Sequence, residues 1–241
     1  MRALERVLAI LEAVADGNAS ASLVAERIGL SLSTAARLMR QMTEEGMLER
    51  SVSGYALGPR LVTVVQSAYH APALSEFALP SMRALRDNTD QTVSLHVRRL
   101  DERVCIAAVE SEQPVRRVVP VGLALPLHFG ATGAVLLSAL SQADLSEYLN
   151  HAQLSPPERS VIEDRIAQAS KVGWSAAVEA WSAGLSGIAA AITSGSSVVA
   201  ALSVSGAAAR WTMPIMRSYR ARIVSCAADI SRHMNPGVRL S

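Results

Sequence analysis

The sequence predicts an α+β protein with a small helical unit at the amino end and a larger unit built on an antiparallel sheet. Residues 1–58 read as three helices followed at once by a short hairpin, and the rest of the chain reads as strands, then helices, then strands. Because strands and helices do not alternate regularly, a parallel sheet of βαβ units is not expected. With 241 residues, half of them hydrophobic and 18% charged, the chain is long enough for two buried cores.

The first helix is predicted from an apolar repeat near the amino terminus. Apolar residues recur at i, i+3, i+4, i+7 and i+10, which is typical of a helix that buries one face. The residues expected to face the core are Leu4, Val7, Leu8, Leu11 and Val14. The run Asp16-Gly17-Asn18 then ends the helix.

A helix-turn-helix pattern follows. Gly29 falls at the break between two short helices, where a positive φ costs glycine little, and Ser31 or Ser33 can cap the second helix. Arg37 and Arg40 then lie one turn apart behind small polar residues, as a helix that enters the major groove of DNA requires. Taken alone, the pattern fits an ordinary corner of two helices equally well.

A hairpin directly after this second helix favours DNA binding. Gly46 ends the helix, and residues 47–57 read as strand, turn and strand. Three helices with such a hairpin form a winged helix-turn-helix, here assigned to residues 1–58. Seven arginines balance seven acidic residues in 1–60. The arrangement of the arginines, rather than net charge, must therefore supply affinity for DNA.

The second part of the chain begins with a predicted connecting helix over residues 59–72, which Pro72 ends. Further helices are predicted at 73–87, 131–140, 142–150, 157–171 and 214–234. Strands are predicted at 92–98, 103–109, 114–121, 173–178, 185–193 and 197–205. The residues expected to be buried by the first and last of these helices are Leu74, Phe77, Leu79, Met82, Leu85, Ile215, Tyr219, Ile223, Cys226 and Ile230.

The sequence also argues against several classes of protein. The longest apolar stretch, residues 184–209, is interrupted by a turn, and charged residues break the first helix, so we expect neither a membrane span nor a signal peptide. A cytoplasmic protein is the resulting expectation. Cys105 and Cys226 are expected to be buried thiols, and the histidines show no metal-ligand spacing. We expect no cofactor, no metal and, without a nucleophile elbow or paired carboxylates, no enzyme.

Five segments carry a family likeness along nearly the whole chain. They are RALERVLAILEAVADG, GLSLSTAARLMRQMTEEGMLER, GYALGPRL, LPLHFGATGAVLLSAL and GLSGIAAAITSGSSVVAALSVSG. In order and spacing they resemble the IclR family of bacterial transcriptional regulators. The resemblance implies a GAF-like effector-binding domain over residues 73–241, joined to the DNA-binding domain by the connecting helix. It also implies a homodimer or dimer of dimers that binds a palindromic operator in double-stranded DNA and responds to a small organic acid.

The resemblance assigns functional residues by position. Contacts to DNA are expected from Ser33, Thr34, Arg37, Arg40 and Arg50. The effector pocket is expected to be lined by Gly130, Ala131, Thr132, Gly187, Ile188, Ser203 and Ser205.

A small carboxylic acid is the expected effector. Backbone N–H groups at residues 130–132 and the hydroxyls of Ser203 and Ser205 can hold a carboxylate without a buried cation. Because Gly187 stands where the family often has cysteine, and Ala177 at an acidic position, we expect an acid bulkier and more apolar than a two-carbon one, such as an aromatic or branched acid. Two alternatives remain open. Thr132 could only cap its helix, or the regulator could have lost effector sensing and act as a partner-binding or constitutive DNA-binding protein.

Overall fold

The computed structural model forms two compact units, Met1–Tyr69 and His70–Ser241. The residues that it describes are 3–17, 20–52, 54–61, 63, 71–180 and 182–232. Within these ranges no helix is both long and apolar enough to cross a membrane.

Over residues 3–17, 20–52 and 54–57 the first unit has three helices and a two-stranded antiparallel sheet. They are α1 (Ala3–Ala15), α2 (Ala21–Ile28), α3 (Leu32–Glu44), β1 (Leu48–Ser51) and β2 (Gly54–Leu57). The side chain of Ser31 accepts a hydrogen bond from Thr34 N and so caps α3, while Gly29 ends α2 with φ of 69°. The predicted turn between the two helices is thus confirmed, with Ser31 rather than Ser33 as the cap.

The buried face of α1 matches the predicted one at Val7, Leu11 and Val14, which lie in or against the core of the first unit, but not at Leu4 and Leu8. Ile10, Ala13 and Val14 are buried, whereas Leu4 and Leu8 are 78% and 59% exposed. The helix carries apolar residues around more than one face, so periodicity alone could not select the side that packs against α2 and α3. The prediction that Leu4 and Leu8 belong to the core of this unit is therefore wrong.

The second unit is built on a six-stranded antiparallel sheet in the order β5-β4-β3-β8-β7-β6. Its strands are β3 (Thr92–Arg99), β4 (Glu102–Val109), β5 (Ala124–Pro126), β6 (Trp174–Val178), β7 (Leu185–Ser194) and β8 (Ser197–Ala207). Its helices are α4 (Ala71–Thr89), α5 (Gly130–Leu137), α6 (Gln142–His151), α7 (Pro156–Val172) and α8 (Met213–Arg232). The α+β class predicted from the sequence is confirmed.

Both faces of this sheet are covered. On one face, α4 and α8 pack against strand residues such as Leu95, Ile188 and Leu202. On the other face, α5, α6 and α7 pack against Ala189 and Ala201. Neighbouring residues of one strand thus belong to different cores, because side chains alternate between the two faces.

Two apolar residues of the packing helices lie outside the core that the sequence predicted for them. Phe77 of α4 is 58% exposed while Ala78 is fully buried, and Ile215 of α8 is 39% exposed while Met216 is fully buried. In both helices the buried face includes the position after the predicted one. Small or flexible residues there fit close against the sheet, which a ranking by hydrophobicity does not anticipate.

Residues 114–121 do not form the predicted strand. The segment runs as an irregular loop, and the short strand β5 follows it at Ala124–Pro126. Pro114 and Pro120 lack the N–H groups that a sheet ladder uses. The loop is instead held by side-chain and backbone hydrogen bonds, among them one of 2.5 Å from the Thr92 hydroxyl to the carbonyl of Arg117.

Parts of two predicted helices lie outside the described residues. Of the predicted connecting helix, residues 59–61 and 63 are helical, while residues 62 and 64–70 are not described. Its predicted end at Pro72 is wrong, because Ala71 and Pro72 already belong to α4. The closing helix is described to Arg232, so the last two residues predicted for it also fall outside.

Candidate functional site

The first candidate site is the exposed face of α3. Ala35, Met39 and Met42 are buried beneath the helix. Ser33, Arg37 and Arg40, spaced at i, i+4 and i+7, are exposed on the opposite side. Residues at this spacing share one face of a helix, so the structure brings these three predicted DNA contacts together.

The other two predicted DNA contacts are held within the first unit. Thr34 is half-buried, and its hydroxyl accepts a hydrogen bond of 2.8 Å from the Ser31 side chain, so it supports the start of α3. Arg50 of β1 is exposed and its guanidinium lies 4.1 Å from the ring centroid of Tyr55 on β2. This cation–π contact fixes the direction of Arg50 on the hairpin surface.

The second candidate site is a cavity on the face of the sheet that α5 covers. It offers about 70 Å³ to the centres of water-sized molecules, and about 560 Å³ when all the space between its atoms and its open mouth is counted. Six of the seven residues predicted for the effector pocket line it. Those six are Gly130, Ala131, Thr132, Gly187, Ser203 and Ser205. The seventh, Ile188, points to the opposite face and is fully buried in the core formed with α4 and α8.

Close packing positions the start of α5 at one end of this cavity. A Cβ on Gly133 would lie 1.6 Å from the carbonyl oxygen of Leu127, so only glycine lets the preceding loop approach the helix. Phe129 stands at the N-cap and offers no hydrogen-bonding side chain. The first N–H groups of α5 therefore lack a cap from that residue, as an anion site at a helix start requires.

Hydroxyl groups stand beside this helix start. The Thr132 hydroxyl donates a buried hydrogen bond of 3.0 Å to the Ser203 Oγ. Thr132 therefore does not cap its helix, and that alternative is wrong. Gly187 pairs with Ser205 in the sheet, and a Cβ at Gly187 would make only ordinary contacts of 3.5 Å or more. Gly187 consequently leaves room at the cavity wall without being required by the fold.

Sequence reasoning missed a basic group at another side of the cavity. Its members are Ser94 and His96 of β3, Arg103 of β4 and Arg117 of the following loop. His96 Nε2 lies 2.9 Å from Ser94 Oγ. The remaining His96 nitrogen, Nδ1, and the Arg103 Nε are buried without a hydrogen-bond partner. The cavity expected to hold a carboxylate through N–H and O–H groups therefore also has a buried arginine, Arg103, in its wall.

Burial dominates the electrostatics of this group. It lowers the pKa of Arg103 to about 10, with a further contribution from the positive charge of Arg117. Burial, followed by the two arginines, lowers the pKa of His96 well below its usual value, so its imidazole is neutral at pH 7. Burial also raises the pKa of the Cys105 thiol to about 11, which leaves it neutral too. The arginines are therefore the charged groups here.

A β-bulge turns Arg103 toward the cavity. Leu95 pairs with Ala107 but His96 pairs with Cys105, so Ile106 is an extra residue in β4. Without that extra residue, strict alternation would place Arg103 on the face that packs against α4 and α8. No residue type in the sequence marks this bulge, and Arg103 could have been suspected only as a charge at the start of an apolar strand.

Comparisons with known proteins agree with this architecture. The model of the IclR helix-turn-helix domain matches residues 3–51, and that of the bacterial transcriptional regulator IclR C-terminal domain matches residues 66–232. The chain belongs to the IclR family of bacterial transcriptional regulators. In the described part of the chain, no group of three or more histidine, cysteine or acidic residues is placed to bind a metal ion.

Curated relatives and solved structures cover almost the whole chain. The acetate operon repressor of Salmonella typhimurium is 29% identical over 96% of this chain and 89% of that protein. The HTH-type transcriptional repressor AllR of Escherichia coli K12 is 30% identical over 95% and 89%. The structure of an IclR homologue from Microbacterium hydrocarbonoxydans complexed with 4-hydroxybenzoate is 26% identical, covers 95% and 99%, and has a TM-score of 0.70. The IclR of Thermotoga maritima, 24% identical over 95% and 97%, shares the fold with a TM-score of 0.73.

The buried imidazole of His96 gives the second unit a pH-dependent stability. Unfolded His96 takes up a proton near pH 6.5, but the folded protein holds its pKa well below that value. The free energy of unfolding should therefore fall as the pH drops below about 6.5, by up to about 1.4 kcal/mol per pH unit for this one group. His96→Gln should make the dependence shallower.

Urea titrations between pH 5 and pH 8, followed by tryptophan fluorescence, measure this effect, since all three tryptophans lie in the second unit. His151→Gln, which alters an exposed imidazole at the end of α6, is the matched control. Equal slopes for the His96 and His151 variants would contradict the assignment.

Proposed function

We propose that the protein is a DNA-binding transcriptional regulator whose operator binding changes when a small organic acid occupies the cavity of the second unit. The observation that carries this proposal is the cavity itself. It combines the uncapped start of α5, the Thr132–Ser203 hydroxyl pair and buried polar atoms that lack a partner. The relative crystallised with 4-hydroxybenzoate, a carboxylic acid, supports this class of ligand.

The exposed face of α3 is the proposed recognition surface. Arg37 and Arg40 present guanidinium groups suited to guanine edges and phosphates, and Ser33 adds a hydroxyl beside them. Thr34 acts indirectly, because its bond with Ser31 holds the first turn of the helix. Arg50 on the hairpin is proposed as a phosphate contact at the flank of the site.

A homodimer, or a dimer of dimers, on a palindromic operator is proposed as the functional assembly. One winged helix with balanced charge offers few contacts, and two half-sites would double them. Leu4 and Leu8 provide an apolar stripe on the exposed side of α1 that pairing could bury.

The effector's carboxylate is proposed to bind at the start of α5, near Thr132 and Ser203. N–H groups and hydroxyls there can satisfy the oxygens once water is excluded. Val119, Leu125 and Leu185 add apolar wall to the same cavity. This composition favours an acid larger than a two-carbon one.

Binding without chemistry is proposed for this cavity. Ser94 and His96 form a hydroxyl–imidazole pair, which is part of the arrangement that activates a serine nucleophile. The third group of such an arrangement would accept a hydrogen bond from His96 Nδ1, and that atom has no partner. The pair therefore lacks the group that orients an imidazole for catalysis.

Replacement of Arg37 tests the recognition surface. Arg37→Ala should weaken binding to operators enriched from a random-sequence duplex pool by about 1–3 kcal/mol if Arg37 reads a base edge. Gel-shift titrations at one fixed salt concentration measure the change. Arg27→Ala on α2, which removes an exposed arginine paired with Asp16, is the control and should have a smaller effect. Unchanged affinity for a folded Arg37→Ala would argue against α3 as the reading helix.

The assembly is tested by its mass in solution. Light scattering at micromolar protein should give the mass of a dimer or tetramer of the 25.5 kDa chain. Leu4→Ser combined with Leu8→Ser should shift the equilibrium toward the monomer, because the proposed contact loses its apolar area. A monomer in the unmodified protein at these concentrations would refute the proposed assembly.

The effector site is tested by acids and two hydroxyl variants. 4-Hydroxybenzoate, benzoate and branched aliphatic acids should be screened by thermal shift, and a stabilising acid should then alter operator binding. Thr132→Val and Ser203→Ala should each raise the dissociation constant of that acid by about tenfold, since each removes a buried hydroxyl at the carboxylate site. Ser170→Ala, an exposed serine on α7, is the control. If no acid binds, the alternative of a regulator that has lost effector sensing is favoured.

A further inference from the structure

We propose that a further cavity, formed by α7 and the loop before α5, binds an aromatic monocarboxylate through Arg165 and His128. We call it the α7 cavity. It has one described lining residue, Ala180, in common with the cavity on the sheet face described above. The proposal goes beyond the proposed function, because this site can bind a ligand whether or not the sheet-face cavity holds an effector.

The α7 cavity is roomy and mostly apolar. It offers about 290 Å³ to the centres of water-sized molecules, and about 680 Å³ when all the space between its atoms and its open mouth is counted. Aromatic rings pack favourably against one another in offset or edge-to-face contacts, and Phe129 supplies such a ring here. The apolar residues of the wall are Phe129, Leu154, Pro157, Val161, Ile162 and Ala180. This wall suits the body of an aromatic ligand.

Arg165 gives the apolar wall a positive charge. The residue is half-buried on α7, and burial lowers the pKa of its guanidinium, which still stays charged at pH 7. Within the described part of the chain Arg165 has no ion pair and no hydrogen bond, and its nitrogens are not fully buried. A partly desolvated guanidinium without a partner gains more from a carboxylate than a fully exposed one does.

His128 gives the same cavity an N–H donor. The Tyr148 hydroxyl accepts a hydrogen bond of 2.9 Å from the backbone N–H of His128 and lies 3.0 Å from its Nδ1. Burial raises the pKa of Tyr148, so the phenol keeps its proton and donates it to Nδ1. Burial also lowers the pKa of His128, so the ring is neutral at pH 7 and its proton is on Nε2.

The His128 Nε2 atom is open to a ligand. It has no partner among the described residues, and it is not one of their fully buried atoms. A carboxylate in the α7 cavity can therefore accept a hydrogen bond from this atom and a charge-assisted one from Arg165.

Glu158 limits the ligand to one negative charge. It is the acidic member of the described wall, and its exposed carboxylate accepts hydrogen bonds from the N–H and the hydroxyl of Ser155 at the start of α7. Two helical turns, about 10 Å along the axis, separate it from Arg165. One carboxylate can bind at Arg165, whereas a second negative charge placed toward Glu158 would be repelled.

Pairs of aromatic acids and their neutral amides test the site. The probes are 2-naphthoate against 2-naphthamide, benzoate against benzamide, and cinnamate against cinnamamide. Calorimetric titration of the full chain should give a dissociation constant at least about tenfold lower for the best carboxylate than for its amide, because only the carboxylate forms a charge-assisted bond with Arg165. Where an acid occupies both cavities, the titration should give two sites per chain.

Variants of the two donors assign the binding to the α7 cavity. Arg165→Met keeps an apolar side chain without the charge, so it should remove the preference for the carboxylate at this site, and Arg165→Lys should keep part of that preference. Where two sites per chain are measured, Arg165→Met should leave one. His128→Phe should raise the dissociation constant of the carboxylate by about fivefold, since one hydrogen bond is lost.

Control variants separate a local effect from misfolding. Arg159→Gln removes another arginine of α7, which pairs with Glu163 and does not line the α7 cavity, and it should keep the preference for the carboxylate. Val161→Trp places a large ring in the cavity at an exposed position, so it should block the acid even if Arg165→Met fails to fold.

The outcomes distinguish this site from the sheet-face cavity. Equal affinities for the carboxylate and the amide in every pair, or carboxylate binding unchanged in both Arg165→Met and Val161→Trp, would overturn the proposal. An acid that is weakened by Thr132→Val but not by Arg165→Met would also overturn it, while supporting the sheet-face cavity as the acid site. Failure of every probe to bind would overturn the α7 site. A preference lost in Arg165→Met and Val161→Trp and kept in Arg159→Gln would support it.

Discussion

The sheet of the second unit has two buried faces, and the alternation of side chains along its strands decides what each residue can do. Gly187 and Ser203 face the cavity, whereas Ile188 and Val204 belong to the core under α4 and α8. Because of this alternation, only every second residue of a strand can contact a ligand in the cavity. The bulge at Ile106 breaks the alternation once, and it thereby brings a cation to a face that β4 would otherwise line differently.

The burial of Arg103, beside the half-buried Arg117, opposes folding unless other interactions offset its cost. Burial lowers the pKa of both Arg103 and Arg117, which shows that their surroundings disfavour charge. His96, whose imidazole stays neutral and bonds to Ser94, adds no further positive charge beside the two arginines. Under the proposed function, an anion bound in the cavity would reduce the repulsion between the positive charges of its wall. Ligand affinity and the stability of this unit are therefore linked, since a ligand that binds only the folded state stabilises it.

Local sequence signals predicted most of the framework. Gly29 and Ser31 act through the conformation of their own turn, so the boundaries of α2 and α3 followed from the sequence alone. Choices that depend on distant packing were not predictable from periodicity. Since α1 has apolar residues on more than one face, periodicity could not show that Leu4 lies on the exposed one. Residues 114–121 are apolar enough for a strand, but their prolines and their hydrogen bonds to β3 and β4 hold them as a loop.

The residues of the candidate pocket also separate into those that the sequence could locate and those that depend on distant packing. Thr132 and Ser203 lie in segments that a family likeness could locate, and the structure places them in contact. Arg103 depends on a register shift between two strands, which leaves no local signature. Such a residue does not need to be shared across a family, because a bulge and one side chain can be changed without altering the scaffold. Under the proposed function, the start of α5 would anchor the acid, and the basic side of the cavity is where this chain would select among acids. An acid bound at the start of α5 would contact both α5 and β8 through Thr132 and Ser203, and its binding energy would favour conformations in which those two elements keep this spacing.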